Sequence, residues 1–416
     1  MNTAVRSSMF APFRVRSFRF QWPADLATSW AFEMEALILG WYVLVETRSV
    51  LMLTLFASLQ YLGTLLAPMF GVMGDRVGHR NVLCAMRALY AGLAALLMSF
   101  AFMDAVTPVI VMAISAVLGL VRPSDIGMRT ALVGETMPSE HLMGAMSIQR
   151  TTQDSARIAG ALTGAGLVAT MGMGPAYAVV VGFYLFSFML TLKAGSGEPP
   201  RGHAPAGRAT PWRDLREGLS YVWNAPQLRA TMLLAFLLNL TAFPLFNGLM
   251  PYVAKVVYGA DQTTLGTMVA AAATGSLTGS IIMSRFGGAF RPARAMIGFG
   301  IAWLAVLLVF TQTTHPGAGI PALMLAGCMQ TMGLIPLNAL LMRTSDERYR
   351  GRIMGIRMMA IYGNLPGLLL AGPLISAFGY ATVAGAYCVF GILAIAWIAA
   401  HWRGHLWLTG AAANRQ

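Results

Sequence analysis

Phe70-Gly71-Val72-Met73-Gly74-Asp75-Arg76-Val77-Gly78-His79-Arg80 places an acid, three basic side chains and three turn-forming glycines between two apolar runs, each long enough to cross a bilayer. A short charged connector of this kind is what a polytopic helical protein needs. Apolar helices satisfy their own backbone in lipid, and the polar turn stays in water. The rest of the chain agrees. Of 416 residues, 57% are hydrophobic and 11% are charged, too little polar surface for a soluble fold of that length.

One span takes ~20 apolar residues. The apolar runs predict an all-α membrane protein of twelve spans, at 19–45, 49–74, 81–103, 107–132, 141–170, 174–194, 227–256, 263–286, 292–312, 318–342, 351–378 and 381–402. The N-terminus carries Arg6, Arg14, Arg16 and Arg19, but the first run has full membrane length and no small-residue cleavage site; it reads as a retained helix and not as a signal peptide. The net charge of +13 raises nucleic acid as a partner, but the placement of the cations argues against it. Arg76 and Arg80, then Arg201, Arg208, Arg213 and Arg216, then Arg285, Arg291 and Arg294, then Arg343, Arg348, Arg350 and Arg352 fall in alternate loops. The loops between them hold little beyond Arg48 and Lys255. This positive-inside bias predicts cytoplasmic termini and the lipid bilayer, not nucleic acid, as the surrounding partner.

Residues 195–226 break the hydrophobic rhythm with Gly, Pro and Arg and divide the chain. The expected organisation is a cytoplasmic tail over 1–18, a six-helix bundle over 19–194, a linker over 195–226, a second bundle over 227–402 and a cytoplasmic tail over 403–416. Within the linker, Thr210-Pro211 followed by Trp212, Leu215, Leu219 and Val222 predicts a capped amphipathic helix lying at the membrane interface. With an offset of 208, Leu132 to Ser187 echoes Leu340 to Ile395, each copy ending in a Gly-rich turn and a final helix. Such internal duplication supports six plus six helices.

A charge at bilayer depth costs at least about 2.5 kcal/mol, so it persists mainly where it faces protein or a watery cavity. Glu33 and Glu35 in the first span, Asp125 in the fourth and Asp154 in the fifth are the candidate proton-coupling acids, all in the first half. Glu33 and Glu35 point about 200° apart on a helix, so one cavity cannot take both. Glu35, leading into Ala36-Leu37-Ile38-Leu39, is the preferred one; either acid can instead be half of a structural bridge to an arginine. Arg122, Asp125 and Arg129 share one face of the fourth span, and Arg150, Asp154 and Arg157 share one face of the fifth. Two such faces can neutralise each other, either as a switch driven by protonation of Asp154 or Asp125 or as a fixed lock. Asp75 can accept from an arginine such as Arg129, and the connector can serve as a cytoplasmic gate.

Gly160 and Gly164 in the fifth span permit close helix packing, and Pro366, Gly367 and Gly372-Pro373 occupy a related place in the eleventh. Trp41, Tyr42, Tyr61, Phe236, Phe243, Phe246 and Tyr362 lie within spans, where they either pack or line a substrate cavity. Asn239, Asn247, Asn338 and Asn364 are further cavity candidates, because an amide in hydrocarbon wants a partner. Cys84, Cys328 and Cys388 lack metal-ligand spacing, and His141, His203 and His315 stand apart from any nucleophile. Neither an enzyme nor a metal site nor a cofactor is expected.

The opening stretch resembles the loop after the second helix of the major facilitator superfamily, G-x-x-x-D-R-x-G-R-R, which Gly71, Asp75, Arg76, Gly78 and Arg80 match, with His79 at a usually basic position. Within that superfamily, Met128-Arg129-Thr130-Ala131-Leu132-Val133 with Met137-Pro138 resembles the drug:proton antiporter branch of the enterobactin-exporter and macrolide-efflux type. So do Ala156-Arg157-Ile158-Ala159-Gly160 with Gly164, Asp214-Leu215-Arg216-Glu217-Gly218-Leu219 with Pro226, and Arg350-Gly351-Arg352-Ile353-Met354-Gly355. Ala161 departs from the proline that antiporters usually carry, and the second-half loop at Ser284-Arg285-Phe286-Gly287-Gly288 lacks its acid. The resemblance implies two pseudo-symmetric six-helix bundles and proton-coupled export of a small amphiphilic molecule, a drug-like compound or a siderophore, by alternating access. It also implies a monomer in a bacterial inner membrane. The residues themselves leave two rivals open: an uncoupled uptake facilitator for a metabolite, and a non-transporting sensor or scaffold.

Overall fold

The computed structural model describes residues 11–195, 211–344, 357 and 359–406. Among them it is helical, with no strand. The first half contains α1 (Arg16–Thr47), α2 (Val50–Leu59), α3 (Ala67–Val77), α4 (His79–Phe102), α5 (Pro108–Thr136), α6 (Ser139–Met171) and α7 (Met173–Lys193). The linker helix α8 (Pro211–Asn224) follows. The second half contains α9 (Pro226–Phe243), α10 (Gln262–Phe286), α11 (Pro292–Thr311), α12 (Pro316–Thr344), α13 (Asn364–Phe378) and α14 (Tyr380–His401). Among the described residues nine helical segments are long and apolar enough to cross a membrane. The other three expected spans explain themselves. α1 and α6 are long enough but loaded with charge, and the second span is broken.

Two expectations of unbroken helix are corrected. The run 49–74 is two helices separated by a tighter turn at Leu62–Leu66, because the chain closes there on α5: a Cβ at Gly63 would lie 1.9 Å from the Leu120 carbonyl oxygen. The adjoining Pro68 cannot donate to a continuing helix. The run 227–256 leaves α geometry for two wide turns, Pro244–Gly248 and Val253–Val257. Pro244 and Pro251 each remove a backbone donor, and the helix absorbs the loss by widening.

Turns between helices follow from backbone freedom. Gly78 joins α3 to α4 at φ +92, a region L side chains avoid. Gly172, before α7, and Gly379, before α14, also have positive φ; they lie one residue out of register with the 208-residue offset of the sequence echo. α8 forms where an amphipathic helix was expected, with Val222 buried and Leu219 and Trp223 exposed. The linker stretch 196–210, the side chains of Trp212 and Leu215, and the motif Arg350–Gly355 lie outside the described residues.

Contacts divide the chain into two units: Met1–Tyr42 with Leu62–Ala206, and Val43–Tyr61 with Gly207–Gln416. In unit 1, α4 lies against α7 and α5, and α6 against α7. Phe18, Val133, Met137 and Ala145 form a buried cluster there. In unit 2, α12 lies against α10 and α11, α14 against α9 and α11, and α13 against α9 and α2. Glycines set these approaches. A Cβ at Gly275 would meet the Met324 carbonyl oxygen at 1.8 Å, and one at Gly327 would meet that of Ala272 at 2.0 Å. The residues 43–61 join unit 2 because α2 seats on α13, where a Cβ at Gly372 would lie 2.3 Å from Thr54 Oγ1.

Candidate functional site

The interior of unit 1 holds charge. Three carboxylates, Asp25, Glu35 and Asp125, and three guanidinium groups, Arg87, Arg122 and Arg129, are ion-paired, and no side chain of the six is more than 10% exposed. The set is neutral in sum, which makes its burial tolerable: isolated ions there would cost several kcal/mol each.

α1 carries the acids on one stripe. Asp25, Ser29 and Phe32 stand at i, i+4 and i+7, and Glu35 continues the same side one turn deeper. Two clusters form along it. In the first, Arg87 of α4 donates to Asp25 Oδ1 and to Thr191 Oγ1 of α7. Arg129 of α5 pairs with Asp125, lies 3.6 Å from Asp25 Oδ1, and donates to Ser29 Oγ at 2.8 Å and to the Asp25 carbonyl at 3.2 Å. Gln149 Nε2 of α6 donates to Asp25 Oδ2 at 3.2 Å. In the second cluster, Arg122 of α5 donates to Glu35 Oε2, and the Tyr184 hydroxyl of α7 donates to the same oxygen at 2.9 Å. Phe32 sits between the clusters: Arg122 Cζ is 4.4 Å and Arg129 Cζ 5.8 Å from its ring centroid.

The expected acids therefore divide. Glu35 and Asp125 belong to the buried lattice. Glu33 points the other way, half-buried among the charges of Arg157, Arg122 and Asp154. Asp154 is held 3.3 Å from Arg150, whose side chain is 67% exposed, an ordinary pair along one helix face. The fourth-span cations were expected to neutralise the fifth span; the ion pairs of Arg122 and Arg129 run instead to α1 and, for Arg129, within α5. Helix 1 outcompetes helix 6 because its acids are the buried ones. Gly160 and Gly164 let α6 approach α1, where added Cβ atoms would meet Glu33 Cβ at 2.7 Å and Met34 Cα at 3.0 Å. Trp22 and Trp30 of α1 fasten the same seam by donating to Thr152 and Thr163, each at 2.8 Å.

The loop motif has a clear anchor. His79 Nδ1 lies 2.7 Å from Glu135 Oε1 near the end of α5, and a Cβ at Gly74 would strike the His79 ring at 2.6 Å. Arg80 reaches the Ala194 carbonyl at 3.4 Å, Arg76 is exposed, and open space surrounds Gly71. The side chain of Asp75 lies outside the described residues, and Arg129, its suggested partner, is engaged by Asp125, Asp25 and Ser29.

The cavity candidates fall in both units. Trp41 is half-buried. The Tyr42 hydroxyl donates to the Val106 carbonyl at 2.8 Å, and Tyr61 is half-buried. In unit 2, Asn239 donates to the Ala235 carbonyl at 2.9 Å on its own helix, and Phe243 packs edge-on against Trp303 at 5.2 Å. Asn247 and Tyr362 are half-buried. Asn338 and Asn364 each keep a buried amide oxygen without a hydrogen-bond partner among the described residues. Among those residues no group of acids, histidines and cysteines could hold a metal, and all three cysteines are free and buried.

Sequence reasoning missed Asp25, Arg87, Tyr184 and the His79–Glu135 pair. The signal for Asp25 was its i+4 and i+7 partners Ser29 and Phe32. Arg87 gave one too, since Cys84, Tyr90, Ala91 and Ala94 share its face and are buried with it.

Residues 26–363 match the Major Facilitator Superfamily, and the chain belongs to that family. It is 26% identical over 361 residues to "Multidrug efflux pump Tap" of Mycolicibacterium fortuitum, covering 82% of this chain and 84% of that one. Its fold resembles the crystal structure of the nucleoside transporter NupG, with a TM-score of 0.72, 12% identity, and 93% of this chain and 99% of that one covered. It also resembles that of a D-xylose-proton symporter, with a TM-score of 0.68, 12% identity, and 92% and 96% covered.

Proposed function

We propose that this member of the major facilitator superfamily is a proton-driven exporter of small amphiphilic organic compounds, of the drug:proton antiporter branch that handles drug-like molecules or siderophores. It acts by alternating access, as a monomer in a bacterial cytoplasmic membrane with both termini inside. The single observation behind this reading is the neutral lattice of three acids and three arginines buried in unit 1. A lattice balanced charge for charge responds to one added proton by leaving a guanidinium under-compensated in a dry site, which drives re-pairing. The match to a relative named as a multidrug efflux pump supports export, and the alternate-loop cations support the orientation.

In this reading Glu35 or Asp154 carries the proton, Glu33 and Asp125 being the alternative candidates, and the arginine network passes the change to the gate at the Asp75 loop. Asn338 and Asn364 offer acceptors to the substrate. Uptake is the second reading, favoured by fold likeness to a nucleoside transporter and a D-xylose-proton symporter.

The test is proton release from acid-loaded inverted membrane vesicles on adding amphiphilic cations, macrolides or siderophores. Export predicts substrate-triggered release that Glu35→Gln or Asp154→Asn abolishes. Flux in the opposite direction would establish uptake, and substrate flux without any proton movement would establish uncoupled passage.

A further inference from the structure

Outside the ion-paired interior, unit 1 gathers cations of a second kind. At the end of the unit where α1 and α4 begin and α7 stops, Arg16, Arg80 and Lys193 line one recess of about 490 Å³, together with Ser17, Phe20 and Leu192. That volume falls within the ~300–1,000 Å³ usual for a small-ligand site. Among the described residues no carboxylate lines the recess, and none pairs with any of the three cations. Arg80 is loosely held, donating to the Ala194 carbonyl and to Asn81 Oδ1 at 3.4 Å each. Its Nε is buried and has no hydrogen-bond partner among the described residues. Ser17 is 7% exposed, and its hydroxyl likewise lacks a partner among them. The chain closes over it from the far side: a Cβ at Gly195 would lie 3.4 Å from Ser17 Cβ.

We propose that this recess binds the phosphodiester headgroup of an anionic phospholipid. Three cations without an acid repel one another, and a phosphoryl oxyanion relieves that repulsion. It also accepts from the guanidinium groups in the fork geometry they prefer. The oxyanion offers the Ser17 hydroxyl the acceptor it lacks, and a buried hydroxyl left unsatisfied is unfavourable. The helix ends agree in sign. Arg16 opens α1 and Arg80 lies in the first turn of α4, where backbone N–H groups favour an anion. α7 presents its negative end, and Lys193 offsets it.

Two features favour a lipid over a soluble phosphate. Phe20 stands one turn along α1 from Arg16, and Leu192, exposed, adjoins Lys193. Cations beside apolar side chains suit an amphiphile, whose headgroup meets the charges while its chains leave along Phe20 and Leu192. The cations also lie within three residues of the ends of the expected spans 19–45, 81–103 and 174–194, at the depth of the headgroups. A headgroup held there fastens three helices at one point. The inference goes beyond the transport reading and holds for either direction of flux.

The test is native mass spectrometry of the full chain in detergent, titrated with dioleoylphosphatidylglycerol, dioleoylphosphatidylethanolamine or inorganic phosphate. Phosphatidylglycerol is expected to be retained as a single-lipid adduct, and the zwitterionic lipid to be lost. Arg16→Gln combined with Lys193→Gln is expected to weaken retention roughly thirtyfold, at about fivefold per cation. Ser17→Ala leaves the charge unchanged and is expected to weaken it about fivefold. Arg14→Gln combined with Arg19→Gln removes two exposed cations that do not line the recess, and is expected to change nothing. A second measurement is the rise in melting temperature on adding phosphatidylglycerol, which a less stable variant also reports. The wild type is expected to show it and the Arg16 and Lys193 double variant to lose it.

Equal losses in the two double variants, or full retention by both Ser17→Ala and the Arg16 and Lys193 double variant, would overturn the site. Phosphate adducts that the same variants abolish, with no lipid retained, would overturn the lipid as the source of the phosphoryl group.

Discussion

Unit 1 and unit 2 solve one problem, holding helices together in lipid, with a different balance of two means, buried ion pairs and close glycine approaches. Unit 1 buries Asp25, Glu35, Arg87, Asp125 and Arg129 between α1, α4 and α5. Among the described residues of unit 2, the fully buried polar side chains are uncharged, such as Thr231, Thr241, Ser276, Gln330 and Asn364. Its helices instead approach through glycine, at Gly275, Gly279 and Gly327, where backbone lies against backbone. Small-residue contact gives close dispersion packing with no switchable element. Ion pairs give directional contacts that a single proton can rearrange. Under the proposed function the responsive role falls to the first unit and the rigid role to the second.

The sharpest way to break this contrast is Arg87→Ala. It leaves Asp25 buried with one guanidinium fewer, and removing one partner of a buried pair costs about 3–5 kcal/mol. The variant is expected to melt far earlier in detergent than the wild type; an unchanged melting temperature would mean that the lattice does not hold unit 1 together. Next comes Gly275→Ala in unit 2, which must push α10 off α12 at an expected cost of about 1–3 kcal/mol. Gly298→Ala in α11, with nothing within 4 Å, is the matched control and should melt like wild type.

The smallest effect tests a charge in unit 2 that lies outside the helices. Asp261 caps α10, accepting from the Thr263 and Thr264 hydroxyls and from the Thr264 N–H at 2.9 Å. Those bonds, that of Thr263 first, hold its carboxyl down at about 2. Asp261→Ala should cost about 1 kcal/mol. Since the folded carboxyl lies below the unfolded value of about 3.9, the ionised cap stabilises fully above about pH 4 and is lost as pH falls through about 2. The gap between variant and wild type in thermal melts should close over that window.

Helix positions were legible in the sequence because apolar run length is a direct readout of membrane thickness. Irregularities inside the runs were less so: Pro244 and Pro251 were visible, but a continuous apolar stretch outweighed them. Of the site, both members of the Glu35–Arg122 pair were named and their pairing was not, since pairing depends on how α1 and α5 rotate against each other. Asp25 and Arg87 were overlooked for a shared reason. Each lies six positions into an expected span, where a linear profile reads an ion as interfacial. Burial at such a depth is decided by neighbouring helices, which no single-helix pattern contains.

Phe32 has an experimental use. Its ring is bracketed by Arg122 at 4.4 Å and Arg129 at 5.8 Å, one guanidinium from each cluster. A fluorine placed on that ring would feel both charges through its chemical shift. One nucleus, observed by magnetic resonance in a protein too large for full assignment, would register rearrangement at Asp25 and at Glu35 as separate displacements of a single line.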